Sequence, residues 1–186
     1  LRNANASGVQ LLVEHLHQLK HKRIACLNTQ PMSNIIRGRI ESWRLWMAGH
    51  GLEGELIDQP VELYQSAAKQ ARQVIGRLLA RKKLAATALV CTTSHAAVGA
   101  MRAMSDRGLR PGVDLAVCTA DSMAGLADLL IPSLTCVFTP SMSPLVQACL
   151  DYFSRGGKDW LGPMLVEPAA MKLFVGESTT GGCKTA

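Results

Sequence analysis

Apolar residues recur along this chain with two different rhythms. Val9, Leu12, Val13, Leu16 and Leu19 follow the i, i+3, i+4 spacing of one helix face. Ser7 or Asn5 is placed to cap the start of that helix. A second stripe, Ile36, Ile40, Trp43 and Met47, predicts a helix over 33–48 that Gly49 and Gly51 end. Between the two, residues 23–27 form a short run, apolar throughout after Arg23, which suits a strand covered on both faces. The alternation then repeats. It predicts strands at 55–58, 87–91, 114–119, 134–138 and 171–175. It predicts helices at 62–83, 94–107, 122–130 and 141–155, and a small, polar tail from 179 to 186 that frays. Gly108, Pro132 and the Gly156-Gly157 pair supply the stops. Repeated strand–helix units with non-alternating strands predict an α/β fold, a parallel sheet flanked by helices, with right-handed crossovers. Ligands of such sheets bind beyond the carboxyl ends of the strands. That directs attention to residues 28–39, 92–95, 119–122 and 139–143.

Composition narrows the class. The 186 residues suffice for one domain with a sizeable core, or one lobe with part of another. With 48% hydrophobic and 18% charged residues the chain is not of disordered type. Aromatics are only 4%, so the core must be aliphatic. The net charge of +6 is scattered apart from Lys20-His21-Lys22-Arg23 and Arg81-Lys82-Lys83. Both runs fall where helices end and offset the negative end of the helix dipole; they are too short for a nucleic-acid-binding tail. The six cysteines make no CxxC pair, and four lie in strand-like apolar runs, a usage that fits a reducing cytoplasm. No apolar stretch is long enough to span a membrane, and no signal peptide is visible. The chain starts at Leu1, as an excised piece or an incomplete record would. No G-x-S-x-G, GxGxxG, P-loop or HExxH motif is present, and the five histidines lack metal-ligand spacing. An enzyme, a cofactor and a metal site are therefore not expected.

Several segments then match a known pattern in order. Asn5-Ala6-Ser7-Gly8, Val13-Glu14-His15-Leu16 and Lys22-Arg23-Ile24-Ala25 resemble the N-x-x-G…EHL…RIA stretch of LacI/GalR repressors. Arg37-Gly38-Arg39-Ile40-Glu41-Ser42-Trp43 resembles their R-x-R-x-x-G-[WY] segment, with Ser42 at the usual glycine. Ala97-Val98-Gly99-Ala100-Met101-Arg102-Ala103 follows a strand and loop as it does there. Gly108-Leu109-Arg110 with Asp114-Leu115-Ala116-Val117, Ile131-Pro132-Ser133-Leu134-Thr135, and Val175-Gly176-Glu177-Ser178-Thr179 complete the series; Ser133 and Gly176 depart from the family's proline and arginine. The resemblance covers nearly the whole chain. It implies a periplasmic-binding-protein-like lobe with part of a second lobe. It implies a sugar or related metabolite as effector, bound between two lobes, a homodimer, and DNA contact through an N-terminal domain that this chain lacks. It assigns 1–21 to a remnant of the N-terminal lobe and 22–134 to the C-terminal effector-binding lobe. Residues 135–165 become a return segment, 166–178 the last strand of the C-terminal lobe, and 179–186 the tail. A solute-binding protein of the same fold, serving a transporter, is the alternative.

The resemblance also nominates ligand-binding residues. Arg39 matches the second arginine of the R-x-R segment; a guanidinium can hold two oxygens at once, and the plainer reading is a surface ion pair. Asp121 matches an aspartate that accepts bonds from sugar hydroxyls, and the plainer reading is a cap of the next helix. Thr93 and Ser94 stand where the family carries Asn-Asp, so hydroxyls replace the amide there. Tyr64 is a candidate for stacking on a sugar face, or a helix-surface residue.

Overall fold

A computed structural model describes residues 4–52, 54–121, 123, 125–138, 141, 143–154 and 170–181, with the side chains of 4–7 excepted. Six strands form one sheet in the order β2-β1-β3-β4-β5-β6. They are β1 (Ile24–Asn28), β2 (Leu56–Asp58), β3 (Ala88–Cys91), β4 (Ala116–Thr119), β5 (Thr135–Phe138) and β6 (Lys172–Phe174). The first five pair in parallel. β6 runs antiparallel to β5, with Cys136 opposite Phe174. The helices are α1 (Ala4–Gln18), α2 (Asn34–Gly49), α3 (Ala67–Ala80), α4 (Ser94–Ser105), α5 (Ser143–Ser154) and the single turn α6 (Glu177–Thr180).

The strand pleat sends alternate residues to opposite layers. Ile24 and Cys26 of β1, with Val90 and Cys118, meet α1 through Val9, Leu12, Val13 and Leu16, and α2 through Ile36, Ile40, Trp43 and Met47. Ala25 and Leu27, with Leu89, Cys91 and Val117, face α3 and α4 through Val74, Ile75, Ala100 and Met104. Each of the larger side chains contributes about 1.5–3 kcal/mol by burial. The seam between α3 and α4 is lined by small residues. A Cβ placed on Gly99 would lie 2.2 Å from the Ala68 carbonyl oxygen.

The structure differs from the sequence expectations at identifiable points. α3 starts at Ala67, not at 62, because Ser66 caps it by accepting from the Lys69 amide (3.3 Å) and Tyr64 takes a left-handed φ of 69°. The described residues of 125–129 form turns in place of a helix: Gly125 has φ 76°, and Ala127 is buried while Leu126 and Leu129 are exposed. Residues 122 and 124 lie outside the described residues, as do 155–169 and 182–186. Thr179 does not fray. It sits buried in α6, bonded to Thr135 Oγ1 (2.7 Å) and to His15 Nε2 (3.0 Å). Helix α1 and strand β5, placed by the resemblance with another lobe, are integral to this one. α1 buries its whole stripe on the sheet, and β5 pairs with β4.

Candidate ligand-binding site

Parallel strands end together, so the polar residues that close β1, β2, β3 and β4 meet along one wall. Asn28 ends β1 and is fully buried. Its Nδ2 donates to Asp58 Oδ1 (2.8 Å) at the end of β2 and to the Gln30 carbonyl (2.9 Å), and its Oδ1 accepts from Thr92 Oγ1 (2.9 Å) after β3. The Thr92 carbonyl accepts from Arg39 Nη1 (2.5 Å) on the second turn of α2, and the same Nη1 donates to Asp121 Oδ1 (2.6 Å) beyond β4. Asp121 Oδ2 accepts from the backbone amide of Ser94 (2.8 Å) and from its hydroxyl (3.2 Å). The result is one continuous polar chain, Asp58–Asn28–Thr92–Arg39–Asp121–Ser94, drawn from four strand ends and two helices.

Local sequence explains how each group is held. Ser33 caps α2 by accepting from the Ile36 amide (3.3 Å), and the buried face of α2 then fixes its rotation, so Arg39 lies over the strand ends. Thr93 caps α4 through its hydroxyl, which accepts from the Ala96 amide (3.4 Å). The Arg39 side chain is 11% exposed and that of Asp121 28%. A charge-assisted bond in so sheltered a position is stronger than a surface ion pair. Arg39 Nε is buried and has no acceptor among the described residues.

Of the nominated residues, the structure brings together Arg39, Asp121, Thr93 and Ser94. Each plainer reading holds only in part: Arg39 is ion-paired but sheltered rather than at the surface, and Asp121 accepts the first amide of α4, an earlier helix, while the described residues of 125–129 that follow it form turns. Thr93 is buried and committed to its cap. Tyr64 is not part of the wall; its side chain is 99% exposed on the turn before α3. Sequence reasoning passed over Asp58 and took in Asn28 only within the stretch 28–39, without naming it as a site residue. Their signal was positional, the first polar side chains at the carboxyl ends of apolar strands. Among the described residues no cluster of three or more metal-ligating side chains occurs, and no helix is long and apolar enough to cross a membrane.

Comparison with known proteins is consistent with this geometry. Residues 13–143 match the family described as periplasmic binding protein-like domain. The lactose operon repressor of Escherichia coli (strain K12) is 28% identical over 135 residues, 72% of this chain and 36% of that protein. A dimeric Lac repressor with an 11-residue C-terminal deletion superposes with a TM-score of 0.74 at 26% identity, covering 94% of this chain and 61% of the other. A LacI family transcriptional regulator from Mycobacterium smegmatis gives 0.73 at 26% identity, covering 94% and 63%. A LacI family regulator from Enterococcus faecium with bound ribose gives 0.75 at 18% identity, a likeness of fold, covering 95% and 63%. The chain thus spans about a third of its curated relative and about three fifths of these solved ones.

Proposed function

The chain belongs to the periplasmic binding protein-like domain family, in the form carried by LacI-family regulators, and from that premise we propose that it is the effector-sensing module of a bacterial transcriptional repressor. A sugar or related small metabolite binds at the wall where Arg39 and Asp121 meet. The observation that carries this reading is their junction at the strand ends, 82 residues apart in sequence and 2.6 Å apart in space. Such a wall offers both donors and acceptors to vicinal hydroxyls. The mechanism is non-enzymatic and works in the cytoplasm. The ligand favours one arrangement of two lobes over another, and that difference in affinity shifts the population that engages DNA through a separate domain.

Two features support the rest of the assembly. α5 has no buried residue, yet Val146, Leu150 and Phe153 form an exposed apolar stripe at helical spacing. A second lobe would cover that stripe. A groove lined by Val98, Met101, Val113, Leu130 and the 97%-exposed Ile131 offers an apolar face to a second copy of the chain. Sedimentation equilibrium of the two-lobed protein that shows only monomer at micromolar concentration would refute the dimer. The relatives are transcription regulators, which favours sensing over delivery of solute to a transporter.

The effector reading is tested by a thermal-shift screen of sugars, since a ligand that prefers the folded state raises the melting temperature. Calorimetry of the best hit on the two-lobed protein follows. Arg39→Ala and Asp121→Ala should each weaken binding by about 1–3 kcal/mol, the range for a lost buried, charged hydrogen bond. Unchanged affinity in both variants rejects the site.

A further inference from the structure

We propose that Asp121 is a built-in counter-anion: it fills the anion-attracting corner of the wall, so that the cleft takes uncharged polyhydroxyl effectors and excludes phosphate esters and carboxylates. The proposal rests on the reading that this wall is the effector site.

A strand-end wall holds an anion with two devices, a guanidinium fork and the free amides of a helix N-terminus. Here one carboxylate already engages both. Asp121 Oδ1 takes Arg39 Nη1 at 2.6 Å, and Oδ2 takes the Ser94 amide at 2.8 Å and the Ser94 hydroxyl at 3.2 Å. The Ala96 amide is directed to the Thr93 hydroxyl. Two of the first three amides of α4, those of Ser94 and Ala96, are therefore satisfied inside the protein, one of them by a carboxylate that also offsets the helix dipole. An incoming anion cannot take Arg39 Nη1 without displacing both Asp121 and the Thr92 carbonyl, and the side chain is 11% exposed; the N–H groups of Nη2 and Nε belong to a guanidinium whose charge is already paired with a carboxylate. Asp58, joined to the same chain through Asn28, adds a second carboxylate. With Arg39 as its one cation, the chain Asp58–Asn28–Thr92–Arg39–Asp121–Ser94 is formally negative. Arg37, two residues earlier on α2, is exposed, and its guanidinium makes no hydrogen bond among the described residues. A neutral sugar meets no such obstacle. Its hydroxyls donate to carboxylate lone pairs that remain free and accept from remaining N–H groups.

Removing the charge of Asp121 should uncover the anion site it fills. The full chain is titrated with inorganic phosphate at constant ionic strength while its melting temperature is followed. The parent should show no phosphate-dependent rise. Asp121→Asn, which keeps an oxygen toward Arg39, and Asp121→Ser, which keeps a hydroxyl toward Ser94, should each gain one, with apparent affinity at least about tenfold above the parent. The double variant Arg39→Met/Asp121→Asn should lose it again. A parent that responds like Asp121→Asn overturns the proposal. So do folded single variants that gain nothing, or a double variant that still responds. The parent supplies an independent measurement that needs no variant: any hexose that raises its melting temperature should do so by more than the matching hexose phosphate, and an equal or larger effect of the ester overturns the proposal. If no sugar stabilises the parent, the effector-site reading is the one that fails, and the phosphate response of the Asp121 variants still decides the counter-anion.

Discussion

Gly99→Ala should destabilise the domain although it places a better helix former in mid-helix. An added Cβ would lie 2.2 Å from the Ala68 carbonyl oxygen and 2.7 Å from Ala71 Cβ. Ordinary non-bonded contact begins at roughly 3.5 Å, so α4 must move away from α3 by about 1 Å. The obstructing atoms are backbone oxygen and a methyl group fixed to it, and neither can rotate aside. Overpacking of this kind costs about 1–3 kcal/mol or more. The gain in helix propensity on replacing glycine returns up to about 1 kcal/mol. The net is a loss of about 1–2 kcal/mol, which for a chain of this size lowers the melting temperature by roughly 2–8 °C. Gly49→Ala is the matched control. It closes α2 where no atom lies within 4 Å of an added Cβ, so only the propensity term acts. It should raise stability by a few tenths to about 1 kcal/mol. The assay is urea unfolding of parent and both variants by far-UV circular dichroism. A Gly99→Ala variant at or above parent stability, or the same sign for both substitutions, refutes a contact-limited α3–α4 seam. The seam matters for function because α4 carries the Ser94 amide to Asp121.

Two further outcomes follow from side chains that lock the sheet. Burial lowers the pKa of His15, with the nearby His21 charge adding to the effect, and burial lowers that of His21. Unfolded imidazoles take up protons near 6.5 and the folded ones only at lower pH. Over that interval the unfolded state binds more protons, so stability is full above 6.5, declines as pH falls below it, and levels off beneath the folded values. The urea midpoint should therefore be lower at pH 5.5 than at pH 7.5, and His15→Gln/His21→Gln should flatten the difference; a parent profile flat over this range refutes the assignment. Ser178→Ala removes a buried hydroxyl that donates to the Val117 carbonyl (2.6 Å) and accepts from the Thr135 amide (2.9 Å), so both backbone groups lose their side-chain partner. It should cost about 1–3 kcal/mol by denaturant unfolding, and a loss under about 0.5 kcal/mol would show that the α6 anchor is dispensable.

What the chain discloses in advance depends on how much of an element is decided by its own residues. The helix α2 was legible because its apolar stripe and its terminal glycines agree, and the structure adds a Ser33 cap at its start. The strands β1, β3 and β4 were legible because strands buried on both faces must be apolar throughout. The start of α3 was not, because residues 62–65 are acceptable helix formers and the break comes from one left-handed tyrosine and a serine cap three residues before Lys69. The turns after Gly125 were missed because their apolar spacing is helical, whereas Gly125 takes a left-handed φ of 76° and, of the apolar positions, Ala127 packs inward while Leu126 and Leu129 stay exposed. The fate of Thr179 was hidden for another reason. Its partners, His15 and Thr135, lie 164 and 44 residues away, and small polar residues look like a fraying tail until a distant hydroxyl and imidazole claim them. The site shows the same division. Arg39 and Asp121 could be named from the family resemblance, but their pairing is a product of sheet order, and no spacing in the sequence encodes it.

That pairing bears on how the lobe would act as a sensor. Every charged or amide side chain in the chain from Asp58 to Asp121 already has at least one protein partner. A wall so held needs little ordering when a ligand arrives, which removes one of the main costs of binding. Its groups also gain little by exchanging one protein bond for one ligand bond of similar strength. Contacts to this wall alone therefore favour the choice of ligand over the strength of its grip. The larger share of affinity must come from what covers the ligand on its other side, where water is excluded and further hydrogen bonds are made. On the proposed function, a second lobe closing on the wall would meet that requirement, and its closure would be the step that effector binding drives. Selectivity and switching would thereby be separated: the strand ends would decide which molecule fits, and the opposing surface would turn the fit into a change of shape.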